Sequence, residues 1–455
     1  MRPTRWQRST YVAVGAAVLL LVVLVVAAAA LVASRQSGEQ VADEPVPPPA
    51  TAEPEVVPVA DSAEAPTPQG LARALAPVLA DPNLGKFTGR ITDASTGRQL
   101  WALGADLPMQ PASTNKLLTA AAALLTLDRE DRLTTRVVSD TPGVVVLVGG
   151  GDPTLSAAPR REDTWYRDAA RIVDLADQVR DSGFAVNRVQ VDVSAYRGPS
   201  MAVGWDPLDI DGGDIAPIEP VMLDGGRTQP VSVESRRSKT PALDAGRALA
   251  AALGVDPRMV TVLPPGRGVT GTEIASVQSP PLMQRLRDMM NFSDNVMAES
   301  IGREVAAALD LPSSFDGAAQ AVLSTLDDAG IDTSGARLLD SSGLSVDDRL
   351  TARTLDEIVN AATGDDVPAL RPLVDLVPIA GGSGTLSNRY LDTPAAGYLR
   401  GKTGSLTGTN TLAGFVTDVS GRVLTFAFLS NDAGPTGRTA LDAFAATLRS
   451  CGCVA

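Results

Sequence analysis

The sequence predicts an α+β fold, an antiparallel sheet flanked by helices and interrupted by a large insertion. Hairpin and helix patterns crowd both ends of the folded part, and strand-like runs with acidic loops fill its middle. Three short polar motifs bracket that middle. Ser113-Thr114-Asn115-Lys116 precedes it, while Ser293-Asp294-Asn295 and Lys402-Thr403-Gly404 follow it. A chain of 455 residues is long enough for two or three units.

Taken in order, residues 1–35 read as a membrane anchor or a signal segment. Tyr11 to Ala33 carries no charge over 23 positions, and Arg2, Arg5 and Arg8 precede it. A run of that length spans a bilayer as a helix, and the arginines keep the N-terminus inside, so the rest of the chain lies outside. Ala28-Ala29-Ala30 leaves open a cleaved signal peptide, although such peptides have shorter apolar cores. Residues 36–69 hold eight prolines, seven acidic residues and no basic one, which predicts an extended stalk or linker. Stretched at about 3 Å per residue it reaches roughly 100 Å.

Folding is expected from Gly70. Leu71, Leu75 and Leu79 repeat at helical spacing, Lys86 to Asp93 and Arg98 to Leu103 read as a hairpin, and Thr114 to Leu127 reads as an apolar helix. Ser113 opens that helix, with Lys116 one turn later on the same face. Residues 128–269 read as an inserted domain with strands at Gly143–Val148 and Val189–Val193. The catalytic domain is then assembled from 70–127 and 270–455. Its C-terminal part offers a strand at Gly401–Leu406, a hairpin turning at Asp418 to Gly421, and a last helix over Thr436–Ser450.

Composition narrows the chemistry. A net charge of -14 excludes the basic footprint of a nucleic-acid partner. Without histidine a Ser-His-Asp triad cannot be built, and with only Cys451 and Cys453 as thiols no zinc site or other cofactor is expected. A disulfide between those two is possible but not favoured, because one intervening residue closes a tight ring. The chain has four lysines against 35 arginines, and Lys116 and Lys402 both sit in motifs. A desolvated lysine is the remaining candidate base for a serine nucleophile. Singly, each motif has an ordinary explanation, such as an N-cap serine or a strand-edge lysine. In this order and setting they form one constellation. Asp294 reads as a solvent-facing carboxylate, and Glu299 as a helix-surface glutamate.

The chain resembles the low-molecular-mass class C penicillin-binding proteins, D-Ala-D-Ala carboxypeptidases and endopeptidases on a penicillin-recognising, β-lactamase-like serine fold. The likeness runs from about Leu71 to the C-terminus. It is carried by Ser113-x-x-Lys116, Ser293-x-Asn295 and Lys402-Thr403-Gly404, and by Gly149 to Leu155, Asp340 to Ser345, Gly381 to Leu386 and Leu412 to Phe415. The separation of 180 positions between Ser113 and Ser293 is similar to the family's large insertion. The resemblance implies Ser113 as nucleophile, Lys116 as base with its pKa lowered by burial and by Lys402, Ser293 as proton relay, and Asn295 on the substrate backbone. Lys402, Thr403, Gly404 and Ser405 would shape the carboxylate and oxyanion sites. It also implies peptidoglycan stem peptides as substrate and β-lactams as inhibitors. A β-lactamase or esterase, or an inactive wall-binding scaffold, stays open as an alternative.

Overall fold

The computed structural model describes residues 63–453 apart from 230, 265 and 267. Among the described residues no helix is long and apolar enough to cross a membrane. The anchor expected at 11–33, and the stalk up to residue 62, lie outside them.

The main sheet is built from both ends of the chain. Strands β1 (Lys86–Asp93) and β2 (Gln99–Leu103) join β8 (Leu399–Leu406), β9 (Thr409–Thr417) and β10 (Val423–Asn431) in the order β2-β1-β10-β9-β8, antiparallel throughout. The period of two along β10 divides two cores. Phe426 and Phe428 face a cluster with Leu71 and Leu75 of helix α1 (Pro68–Leu79), while Ala427 and Leu429 face one built on helix α2 (Lys116–Thr126). Thr67 caps α1, its Oγ1 accepting from Gly70 N at 3.1 Å, so helix replaces stalk before residue 70. Thr67 N in turn donates to Cys453 O at 2.9 Å, and Cys451 and Cys453 are joined in a disulfide, the pairing that the tight ring had argued against.

The insertion carries its own sheet, ordered β6-β5-β4-β3-β7. Strands β3 (Thr134–Thr141) and β4 (Val144–Val148) form a hairpin. Helix α3 (Ile172–Asp181) returns the chain to β5 (Arg188–Asp192), and α4 (Pro241–Ala252) returns it to β6 (Val260–Val262). Both returns are parallel, as helix crossovers require. Strand β7 (Thr272–Gln278) pairs with β3, so the second sheet runs past the boundary expected at 269. The chain then enters α5 (Leu282–Phe292), α6 (Asn295–Ala308) and α7 (Phe315–Asp328), and later α8 (Ala352–Thr363) and α9 (Gly437–Ser450). Trp205, Ile210 and Ile215 of the insertion share a core with Val296 of α6 and Phe315 of α7. The insertion is therefore docked against the helix that begins at Asn295.

Candidate active site

Between Pro111 and Leu124 every residue is buried except Ser113. A 3-10 turn over Ala112–Asn115 lifts that one side chain into a cleft of about 970 Å³, and Ala112 holds φ 45° to enter the turn. Strained backbone of this kind persists where the surroundings over-determine it. Ser113 does not cap the helix. Lys116 Nζ, fully buried, donates to Ser113 Oγ at 2.9 Å, Asn295 Oδ1 at 2.6 Å and Ser342 O at 2.7 Å. Burial pushes this amine down to about 8, against the charges of Asp340, Asp294 and Glu299, which raise it. Lys402, itself buried, is held well below its ordinary range by burial and by the charge of Lys116.

Lys402 Nζ donates to Ser293 Oγ at 2.8 Å, which gives the cleft a second lysine-serine pair. Ser293 ends α5 in the left-handed region, φ 56° and ψ 38°. Asp294 follows as the N-cap of α6, accepting from Met297 N at 3.1 Å. It is only 4% exposed, so the solvent-facing reading is wrong. Its other oxygen accepts from Tyr166 Oη at 2.7 Å and lies 3.6 Å from Arg227 Nη1, both from the insertion. Burial raises its pKa, but Arg227, Arg237 and Tyr166 outweigh that and hold it below the usual carboxylate value. Asp294→Ala should cost about 3 kcal/mol, because it uncaps α6 and leaves buried cations unpaired; urea unfolding checks this.

Asn295 turns both ends of its amide inward. Its oxygen accepts from Lys116, and Nδ2 donates to Asp214 O at 3.0 Å. In this state it holds the lysine. Glu299, also expected at the surface, is fully buried. Its Oε1 accepts from Ser341 N at 2.9 Å and Oε2 lies 3.2 Å from Arg303 Nη1. Burial, then the charge of Asp340, raises it to about 7.

Strand β8 is the sheet edge facing the cleft. Gly401 N donates outward to Pro378 O at 3.0 Å, so by strand alternation the N–H groups of Thr403 and Ser405 also point away from β9. Beside this edge lies the turn bearing Ser113. A Cβ on Gly404 would sit 2.9 Å from Ser113 N and 2.8 Å from Pro111 O, and would overlap Thr411 Oγ1. Gly404→Ala should push the edge off Ser113 and slow acylation about 100-fold, read by stopped-flow, with the strand still formed. Thr403 Oγ1 bonds Thr385 Oγ1 at 2.8 Å, which places the segment from Gly381 to Leu386 on the cleft rim. In the segment from Gly149, Asp152 Oδ1 accepts from Thr154 N and Oγ1 at 2.8 and 2.6 Å, a turn lock away from the cleft. No group of three or more His, Cys, Asp or Glu that could hold a metal occurs among the described residues.

A serine opening on the cleft, a buried lysine beside it, a second serine-lysine pair and an edge strand are the arrangement of a serine acyl-transfer enzyme of the penicillin-recognising kind. Comparisons with known proteins agree. The profile of the D-Ala-D-Ala carboxypeptidase 3 (S13) family matches residues 71–236 and 229–448, and that of the carboxypeptidase Rv3627c-like N-terminal domain matches residues 1–58. The chain is 72% identical to carboxypeptidase DacB of Mycolicibacterium smegmatis over the full length of both. It is 62% identical to carboxypeptidase Rv3627c of Mycobacterium tuberculosis, again over both full lengths. Among solved structures it is similar to penicillin binding protein 4 of Haemophilus influenzae, with TM-score 0.69 and 23% identity over 84% of this chain and 98% of that one. The chain belongs to the D-Ala-D-Ala carboxypeptidase 3 (S13) family, and its fold is that of a penicillin-binding protein. It is a serine carboxypeptidase of that family.

Proposed function

We propose that Ser113 is the nucleophile and Lys116 the base in cleavage of the terminal D-Ala-D-Ala bond of peptidoglycan stem peptides. The observation that carries this is the 2.9 Å contact of a buried Lys116 Nζ with Ser113 Oγ, in a chain without histidine. Neutral Lys116 takes the Ser113 proton as Oγ adds to the carbonyl carbon. The N–H groups of Ser113 and Ser405 receive the oxyanion, each donor worth about 3 kcal/mol. The C–N bond breaks as the proton passes through Ser293 to the leaving amine, D-Ala departs, and water hydrolyses the Ser113 ester. Lys402, Thr403 and Ser405 hold the carboxylate of the departing residue, and Gly404 lets the edge strand approach. A β-lactam enters the same way, but its leaving nitrogen stays tethered to the acyl-enzyme.

The chain divides, on this reading, into a membrane-anchoring N-terminal segment through residues 11–33, an acidic stalk, a catalytic domain and its docked insertion, all but the first on the wall side. The uncharged 23-residue run behind three arginines supports the anchor. Release of D-Ala from a stem pentapeptide by the chain from Gly70 onward tests the activity. Release by the wild type and none by Ser113→Ala is expected; equal release by both contradicts it.

A further inference from the structure

The segment Asp340-Ser341-Ser342-Gly343-Leu344-Ser345 holds no group assigned to the reaction, yet it supplies one of the three acceptors around Lys116, the Ser342 carbonyl. Its fully buried carboxylate, on Asp340, is saturated with donors. Oδ1 accepts from Ser342 N at 3.0 Å and Gly343 N at 2.6 Å; Oδ2 accepts from Ser345 N at 2.7 Å and from the indole Nε1 of Trp205 at 2.7 Å. Three of these bonds curl the loop, and the fourth ties it to the insertion.

The same loop is pinned to the catalytic helices from its other side. Asp340 O accepts from Asn115 Nδ2 at 3.2 Å, Ser341 O from Thr119 Oγ1 at 2.6 Å, and Glu299 takes Ser341 N. Gly343, at φ 80°, lies so close that an added Cβ would overlap Ala112 O, next to Ser113. Displacement of the loop therefore moves the Ser342 carbonyl and the turn that carries the nucleophile together.

We propose that Asp340 is the positioning residue of the catalytic lysine: it folds the loop that fixes Lys116 against Ser113, and the Trp205 indole makes that fold depend on the docked insertion. The proposal rests on the assignment of Ser113 and Lys116 above. The insertion thereby acts on the acylation step itself, through the bond from Trp205 to the loop whose Ser342 carbonyl holds Lys116. The charged groups facing Lys116 are Asp340 and Asp348 from this loop region, Asp294 and Glu299 from the start of α6, and Lys402 from β8. Asp340 heads the charges that hold the amine up, so removing it lowers the pH at which Lys116 becomes neutral.

The test is the pH profile of benzylpenicillin acylation for the wild type, Asp340→Asn and Trp205→Phe, with thermal melts alongside. Asparagine keeps the shape but cannot accept from four donors. Slowing of about 100-fold on the plateau, with the midpoint moved to lower pH, is expected. Trp205→Phe keeps an aromatic ring and the Asp340 charge but removes the N–H, and should slow acylation about tenfold in a protein that still melts cooperatively, at a somewhat lower temperature because the smaller ring leaves a gap. A folded Asp340→Asn with the wild-type rate and midpoint overturns the proposal. Where that variant does not fold, wild-type acylation by Trp205→Phe overturns it. A wild type that is not acylated at Ser113 sinks the assignment beneath it instead.

Discussion

Replacing Lys116 with methionine should abolish acylation, lowering its rate by about 10⁴-fold or more, while leaving the fold about as stable as before. The two effects have separate origins. On the proposed assignment Nζ, in contact with Ser113 Oγ, is the base, and groups that act as one unit lose nearly all of their joint effect when one is removed. The amine is also fully buried, so methionine relieves the fold of its desolvation, while Asn295 Oδ1 and Ser342 O lose their donor; the two changes oppose each other and the net effect on stability is small. Stopped-flow acylation beside a thermal melt separates them. A variant that loses activity only because it unfolds contradicts the assignment.

The pH dependence is the second large effect. Acylation needs Lys116 neutral, so its rate should rise with pH to a plateau, with a midpoint about 8. The sign for stability follows from the same shift. The folded value of about 8 lies below the ordinary lysine value of 10.5, so the unfolded chain binds more protons between those pH values. This group therefore makes the protein more stable as pH rises across that window, and Lys116→Met should remove that slope. A rate flat from pH 6 to 9 contradicts Lys116 as the base.

Much of this was readable because it is local. Ser113 and Lys116 share one helical turn, Lys402 to Ser405 lie on one strand, and β1 and β2 carry patterns that set their boundaries within one residue. What escaped depends on partners far away in the chain. Asp294 and Glu299 look like ordinary helix-surface acids, since nothing in their own neighbourhood announces Tyr166, Arg227 or the loop at Ser341 that bury them. Trp205 has no periodic setting that would pair it with Asp340. In the sequence the second sheet reads as isolated apolar runs. Such runs carry no mark of direction, so neither the parallel returns to β5 and β6 nor the capture of β7 by β3 could be read from them. For Cys451 and Cys453, spacing argued against the pairing that the structure contains.

The central claim is that Ser113 becomes acylated and is slow to be freed. Its most direct test is the intact mass of the fragment from Gly70 onward, with and without benzylpenicillin, beside Ser113→Ala. A stable adduct of one penicillin on the wild type and none on the variant is expected. An adduct that persists in Ser113→Ala, or a wild type that destroys the antibiotic without retaining it, would contradict it, the latter by making this chain a β-lactamase.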